Sequence, residues 1–219
     1  QTCALPILKV KIGNNLNQDI ERVKAIYAGF ASKALLRLDV NQGWSAKQTV
    51  QALQQLEHAG VVLELVEQPV KSNDIQGLKY ITDRVNTPIM ADESAFSPQQ
   101  VIQLLELGAV DIINIKLMKT GGLSRAIEIA NITAQYQAQC MIGCMLEGSI
   151  AMAGAAHLAS AKAQQISKID LDGPALGQYD PVQGGVEFNG PQITLSDAPG
   201  LGIESINGLE LITNGVWPE

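Results

Sequence analysis

Seven short apolar runs recur along the chain about 25 residues apart, with helix-like stretches between them. One β-strand followed by one α-helix takes up that length, so the repetition predicts βα units. Repeated βα units form a parallel sheet whose crossovers are right-handed. The runs span residues 7–12, 34–40, 63–68, 88–92, 110–117, 139–143 and 168–172.

Helix signals occupy the stretches between the runs. In "SPQQVIQLLELG", Ser97 is suited to the N-cap, Pro98 to the first helical position and Gly108 to the residue that stops the helix. Six helices are predicted up to residue 172. No Gly-rich dinucleotide loop or Walker sequence is present, and the glycines of "KTGGLSRA" are interpreted as turn residues. Evenly spaced units without such loops favour a barrel over a doubly wound sheet.

Composition agrees with this core and limits the partners. The chain of 219 residues is 46% hydrophobic but only 4% aromatic, which suits aliphatic helices packed on a buried parallel sheet. The net charge of −7 and the lack of a Lys/Arg cluster argue against nucleic acid and anionic membrane as partners. No apolar run reaches the ~18 residues that a membrane span needs. Three cysteines without framework spacing predict a reducing, cytoplasmic location.

Acidic residues end three successive apolar runs: Asp39, Glu67 and Asp92, the last within "TPIMADES". In a parallel barrel the carboxyl ends of the strands surround one mouth, so these side chains are expected to converge there. Three uncompensated carboxylates in an apolar container repel one another, and a bound cation resolves the repulsion. Oxygen ligands with no His or Cys among them favour a hard ion, so we expect Mg²⁺.

Three lysines lie on runs that flank these acids. Lys9 and Lys11 are two residues apart and share one face of the first run, whereas Lys116 belongs to a run across the mouth. Two ammonium groups side by side near a divalent metal lower each other's pKa, which makes a neutral amine accessible near neutral pH. A lysine general base needs such an amine.

Each of these residues also has an ordinary structural explanation. A single acid at a strand end is commonly a surface or capping residue, and Lys9 with Lys11 could protect an edge strand from aggregation. Asp170 and Asp172 could form a turn before Gly173. The functional interpretation is favoured because the polar residues recur at the same phase of successive units.

The succession of these segments resembles the enolase superfamily, in its muconate-lactonizing subgroup, and most closely the dipeptide epimerases. The matching stretches are "LKVKIG", "LRLDVNQGW", "LVEQPV", "PIMADES", "DIINIKLMKTGGL", "GCMLEG" and "KIDLDGP". The resemblance implies an α/β fold, the enolase-type (β/α)7β TIM-like barrel. It also implies a Mg²⁺-dependent isomerase of peptidoglycan peptide metabolism, which inverts the α-carbon beside the terminal carboxylate of a dipeptide of the L-Ala-D/L-Glu type.

Residue roles follow from the same resemblance. It implies Mg²⁺ ligands at Asp39, Glu67 and Asp92, and an acid/base pair at Lys11 and Lys116. Six further residues would bind the dipeptide: Lys9 at its carboxylate, Asp170 and Asp172 of "DLDG" at its ammonium, and Cys144, Met145 and Glu147 of "GCMLEG" along the pocket.

Members of this superfamily begin with a capping domain and a first barrel strand, which the sequence does not match. Residues 1–185 are therefore predicted to form the second to eighth barrel strands, and residues 186–219 the segment that normally completes the capping domain. Cycloisomerisation, o-succinylbenzoate synthesis and N-acylamino acid racemisation stay as alternatives, as does a truncated, non-catalytic barrel. The "DLDG" motif favours a dipeptide, because the other substrates carry no free ammonium. A homo-oligomer is compatible with the sequence.

Overall fold

A parallel sheet of seven strands forms the centre of the structure, a computed structural model that describes residues 6–30, 33–190 and 192–208. The strands lie in the sheet in sequence order, and every neighbouring pair is parallel. This confirms the sheet predicted from the apolar runs. The strands are β1 (Ile7–Lys11), β2 (Leu35–Asp39), β3 (Leu65–Glu67), β4 (Ile89–Ala91), β5 (Ile112–Lys116), β6 (Gln139–Gly143) and β7 (Ile166–Asp170).

Seven α-helices connect these strands within the described ranges: α1 (Leu16–Phe30), α2 (Ala46–His58), α3 (Ile75–Thr82), α4 (Pro98–Glu106), α5 (Leu117–Thr120), α6 (Leu123–Gln135) and α7 (Ser149–Ala161). The six predicted helices are confirmed, and the single turn α5 is an addition. Ser97 caps α4 as predicted, since its hydroxyl accepts from the Gln100 N–H at 3.3 Å. In the part of the chain that is described, no helix combines the length and the apolar character that crossing a membrane requires.

The hydrophobic core has an outer and an inner part. The outer part lies between sheet and helices and includes the fully buried Leu38, Val66 and Ile113. The inner part fills the barrel with four side chains: Leu65, Met90, Ile112 and Met141. Side chains alternate along a strand, so residues two positions further on face the same interior, nearer the carboxyl ends. Those positions include Glu67, Asp92 and Asn114.

The sheet is open between β1 and β7, which form its two edges. Charged side chains nonetheless tie β7 to the other side of the barrel. Arg37 on β2 donates to the backbone carbonyl of Ile169 at 3.3 Å and to Glu64 at 2.6 Å, and Lys168 donates to Glu64 at 2.9 Å. These contacts lie at the amino ends of the strands, opposite the mouth that carries the predicted site.

After β7 the chain leaves the βα repeat, as its Gly- and Pro-rich composition predicted. A 3₁₀ turn spans Gly173–Leu176, and four short strands form two antiparallel pairs: β8 (Val182–Gly184) with β11 (Ile203–Ile206), and β9 (Val186–Asn189) with β10 (Gln192–Leu195). Phe188 and Ile193 of the second pair pack against the main core. The assignment of residues 186–219 to a capping domain stays a prediction, and residues 209–219 of that segment lie outside the described residues.

Candidate active site

The carboxyl ends of the strands surround a cavity of about 700 Å³. Glu67 lies beneath its floor and is only 1% exposed. A second cavity of about 540 Å³ lies at the opposite end of the barrel, where two of its charged residues, Glu64 and Lys168, are paired with each other. Nine of the predicted site residues line the cavity at the mouth: Lys9, Lys11, Asp39, Asp92, Lys116, Cys144, Met145, Asp170 and Asp172.

The three acids predicted as metal ligands are buried at the ends of β2, β3 and β4, and the two oxygens of each carboxylate have different partners. One oxygen accepts a hydrogen bond from a neighbouring group of the protein. Asp39 Oδ1 accepts from the Asn41 N–H at 3.1 Å. The other two bonds run from Asn114 Nδ2 to Glu67 Oε1 at 2.8 Å and from Lys119 Nζ to Asp92 Oδ1 at 2.5 Å.

The second oxygen of each carboxylate faces a lysine that was predicted for the site. Lys9 Nζ lies 3.3 Å from Asp39 Oδ2 and 2.8 Å from Glu67 Oε2. Lys11 Nζ is 3.1 Å from Asp39 Oδ2, and Lys116 Nζ is 2.7 Å from Asp92 Oδ2. The ammonium groups thus supply the positive charge that three clustered carboxylates require.

Lys11 and Lys116 stand on different sides of the mouth. Lys11 ends β1 and Lys116 ends β5, and three strands of the sheet lie between β1 and β5. Each lysine contacts a different acid, Asp39 for Lys11 and Asp92 for Lys116. The Lys11 side chain is 69% exposed and that of Lys116 is 10% exposed, so solvent reaches the first far more readily than the second.

The electrostatics of the acids follow from burial and from these contacts. Burial raises the pKa of Glu67 to about 7, an effect that Lys9 opposes and that the charges of Asp39 and Asp92 reinforce. Burial also acts to raise the pKa of Asp92, but Lys119 and Lys116 outweigh it, so this pKa is lowered.

The pKa values of two lysines also follow from these contacts. Burial acts to lower the pKa of Lys9, but the carboxylates of Glu67, Asp170 and Asp39 outweigh it and raise the pKa. The pKa of Lys116 is likewise raised, because Asp92 outweighs burial. Direct contact with the acids therefore favours the ammonium form of both lysines, and the lowering predicted for two ammonium groups beside a bound divalent metal stays a prediction.

The chemistry of the acid set fits a hard cation. Glu67 Oε2 is buried and accepts no hydrogen bond of good geometry from the described residues, although Lys9 Nζ lies 2.8 Å away. All the donor atoms are carboxylate oxygens, the ligands that Mg²⁺ prefers. In the described part of the chain, however, no three His, Cys, Asp or Glu side chains already have the spacing of a metal site. The lysines stand between the acids, so cation binding requires the ammonium groups to move away.

Comparison with known proteins identifies the family. Residues 4–207 match the family model described as enolase C-terminal domain-like. The chain belongs to this family. It is 50% identical over 200 residues to the L-Ala-D/L-Glu epimerase of Clostridium acetobutylicum. These aligned residues cover 91% of this chain and 56% of that protein.

Two solved structures show the same enolase-type fold. The substrate-liganded L-Ala-D/L-Glu epimerase of Bacillus subtilis matches with a TM-score of 0.88 at 42% identity, over 91% of this chain and 56% of that one. The dipeptide epimerase of Enterococcus faecalis complexed with Mg and L-Leu-L-Tyr matches with a TM-score of 0.86 at 47% identity, over the same shares. The predicted enolase-type barrel is confirmed, and the chain spans a little over half the length of these relatives.

The "DLDG" acids of this enolase-type barrel are close together but have different partners. Asp170 Oδ2 lies 2.9 Å from Lys9 Nζ. Asp172 is beside Cys144, whose thiol donates to Asp172 Oδ1 at 3.5 Å and whose pKa is raised by burial. Both acids line the cavity, but Asp170 is already paired with Lys9.

The "GCMLEG" loop contributes less than predicted. Met145 lines the cavity and is 46% exposed. Glu147 does not line it: this side chain is buried and folds back on its own loop, where Oε1 accepts from the Met145 N–H at 3.0 Å. Glu147 therefore shapes the loop, and neighbouring Leu146 presents its side chain to the cavity instead.

Sequence reasoning missed Lys119, Asn114 and Gln68. Asn114 stands two residues before Lys116, so strand alternation alone places both on the interior face. Lys119 is brought back to the site by the single turn α5, which no sequence signal indicated. Gln68 is fully buried, accepts from the N–H groups of Asp92 at 2.9 Å and Ser94 at 3.1 Å, and thereby fixes the backbone beneath Asp92.

Proposed function

We propose that the chain forms the catalytic barrel of a dipeptide epimerase, which inverts the α-carbon beside the terminal carboxylate by moving a proton between two lysines. One observation carries the proposal: Lys11 and Lys116 stand on different sides of a cavity that Asp39 and Asp92 line, with Glu67 buried beneath its floor. Inversion without oxidation needs a base on one face of the carbon and an acid on the other. The relatives named above support the dipeptide as substrate.

Asp39, Glu67 and Asp92 would hold Mg²⁺ through the oxygens that now face Lys9, Lys11 and Lys116. When bound, Mg²⁺ supplies positive charge beside the substrate carboxylate, where negative charge develops as the α-proton leaves. Replacing the ammonium groups with Mg²⁺ is favourable for the three acids, since a divalent ion compensates the repulsion among their carboxylates better than single ammonium groups do.

The protein's own groups carry the proton. One of Lys11 and Lys116, in its neutral form, takes the proton from the α-carbon, and the electron pair of the C–H bond passes to the carboxylate as an enediolate. The opposite lysine, in its ammonium form, then donates a proton to the other face of the same carbon. Atoms and charge balance, because one lysine gains the proton that the other loses.

Substrate recognition uses the rest of the mouth. Lys9, released from the acids, would pair with the substrate carboxylate, and Asp170 and Asp172 would bind the terminal ammonium by charge-assisted hydrogen bonds. Apolar side chains of Phe96, Met145 and Leu146 surround the opening. We further propose that residues 1–185 form the second to eighth barrel strands and that residues 186–219 belong with a capping domain in the complete protein.

Hydrogen exchange tests the proposal directly. The full natural protein that carries this chain is incubated with L-Ala-L-Glu and Mg²⁺ in deuterated water, and deuterium at the glutamate α-carbon is followed by NMR. We expect exchange with epimerisation, both lost on chelation of the metal. Epimerisation should be lost in Lys11→Ala and in Lys116→Ala, whereas α-exchange of this isomer should be lost in one of the two variants. Absence of exchange in the wild type, or unchanged exchange in both variants, would refute the proposal.

One observation keeps an N-acylamino acid racemase as a second candidate. Asp170, half of the proposed ammonium site, is paired with Lys9 and does not depend on a substrate ammonium for its charge balance. Offering N-succinyl and N-acetyl amino acids in the same exchange assay separates the candidates. Faster exchange of these substrates than of any free dipeptide would favour the racemase.

A further inference from the structure

The carboxylates of Glu67 and Asp92 are each held on one side by a buried donor that has no place in the proton transfer. Asn114 is fully buried on β5, and its Nδ2 donates to Glu67 Oε1 at 2.8 Å. The Lys119 side chain is 4% exposed and makes three bonds: to Asp92 Oδ1 at 2.5 Å, to the Asp92 carbonyl at 2.7 Å and to the Asn114 carbonyl at 2.9 Å.

These bonds leave one oxygen of each acid available. Glu67 Oε2 and Asp92 Oδ2 face Lys9 and Lys116, whereas the other oxygens accept from Asn114 and Lys119. Asp39 follows the same rule, since the backbone N–H of Asn41 engages its Oδ1. A carboxylate engaged in this way offers a metal a single oxygen and cannot readily bind it with both.

The number of oxygens per acid separates the common hard cations. Mg²⁺ requires six ligands in near-octahedral geometry at short distances and usually keeps several waters. Ca²⁺ accepts six to eight oxygens at longer distances and commonly takes both oxygens of a carboxylate. Three acids that offer one oxygen each therefore suit Mg²⁺ and leave Ca²⁺ short of ligands.

We propose that Asn114 and Lys119 are positioning residues that set the preference of this site for Mg²⁺ over Ca²⁺, by holding Glu67 and Asp92 in single-oxygen orientation. The proposal rests on the metal site of the proposed function but concerns cation choice, not turnover. Lys119 donates both to Asp92 and to the backbone carbonyl of Asn114, the residue that holds Glu67. One ammonium group therefore connects the two residues that orient the acids.

Isothermal titration of Mg²⁺ and Ca²⁺ into the metal-free full natural protein tests this, with the ratio of the two dissociation constants as readout. Removing the Lys119 charge should strengthen the binding of both divalent ions to a similar degree, so the ratio of the two dissociation constants removes that contribution. We expect Lys119→Met and Asn114→Leu each to reduce the preference for Mg²⁺ by about tenfold, the lower end of the roughly 10–100-fold loss in metal affinity that follows removal of a group that orients a ligand. Lys119→Arg, which keeps a charged donor, should retain the wild-type preference for Mg²⁺.

Matched controls lie on the surface. Asn86 donates to Glu57 at 3.2 Å and Lys79 pairs with Asp83, both exposed, so Asn86→Leu and Lys79→Met remove similar bonds far from the site. Both controls should keep the wild-type ratio, and circular dichroism confirms folding. An unchanged ratio in folded Asn114→Leu, or a wild type that binds neither ion, overturns the proposal. A wild type that prefers Mg²⁺ but exchanges no α-proton would refute the epimerase while leaving this inference intact.

Discussion

Lys9 on β1 and Asp170 on β7 form an ion pair, with 2.9 Å between Nζ and Oδ2, across the open side of the sheet. The two strands are the edges of the sheet, so this pair closes the mouth where no backbone hydrogen bonds do. Lys9 simultaneously contacts Asp39 and Glu67. A zwitterionic dipeptide carries a carboxylate, which complements Lys9, and an ammonium group, which complements Asp170. Its binding would therefore replace the Lys9–Asp170 ion pair with two ion pairs to the dipeptide.

Asp172 is the acid of the proposed ammonium site that has no lysine partner among the described residues. We expect Asp172→Asn to raise the KM for L-Ala-L-Glu about tenfold or more, since a hydrogen bond to a charged group contributes about 1.5–3 kcal/mol. N-acetyl-L-Ala-L-Glu lacks the ammonium group, so its KM should be the same in Asp172→Asn as in the wild type. Steady-state kinetics with both compounds decide the matter, and an equal rise in KM for both would exclude an ammonium site at Asp172.

The separation of Lys11 and Lys116 predicts that each variant fails with a different substrate isomer. Lys11→Ala should lose α-proton exchange with one of L-Ala-L-Glu and L-Ala-D-Glu, and Lys116→Ala with the other, each by about 10²–10⁴-fold. Mass spectrometry of deuterium uptake, started separately from each isomer, measures this. Lys47→Ala, on an exposed part of α2, serves as control. Equal losses with both isomers in both variants would show that the lysines do not divide the two faces.

Gly143 lies at the end of β6, where a side chain would enter the site. A Cβ at this position would stand 2.8 Å from Asn114 Oδ1 and 3.3 Å from Lys116 Cε, so both groups would have to shift. We expect Gly143→Ala to lower the free energy of unfolding by about 1–3 kcal/mol and to reduce exchange by about 10²-fold, as small displacements of catalytic groups do. Gly29→Ala has open space around it and is the control. Thermal melting and the exchange assay together report both effects.

Strand positions could be predicted because the signal is local. An apolar run that ends on an acid can be recognised in the sequence whatever the strand packs against. The positions of β2, β3 and β4 and of their terminal acids could therefore be predicted from the local pattern of side chains alone. β7 was harder: in its sequence ISKID only Ile166 is buried, Ser167 and Ile169 are exposed, and the strand begins two residues before the predicted run. An edge strand with one face partly in solvent loses the continuous apolar character of the central strands.

The contacts among the site residues could not be predicted, because they depend on distances between strands. No spacing indicates that Lys9 pairs with Asp170, which is 161 residues away, or that Glu147 folds onto its own loop. The raised pKa of Lys9 depends on contacts of the same kind. Strand alternation placed Lys9 among acids, but only coordinates show that its ammonium contacts three of them.

Glu64, at the opposite end of the barrel, should make stability depend on pH. Burial acts to raise its pKa, but Arg37 and Lys168 outweigh it, so the pKa of Glu64 is lowered in the folded state. A lowered pKa stabilises the fold at pH values above the unfolded pKa, and this contribution is lost as pH falls through the folded pKa. Urea unfolding from pH 7 to pH 3 should therefore show a stability gap between wild type and Glu64→Gln that is largest at neutral pH and narrows in acid. Glu57→Gln, on the exposed end of α2, should show no such gap, and a gap for Glu64→Gln that stays constant with pH would contradict the charge pairing.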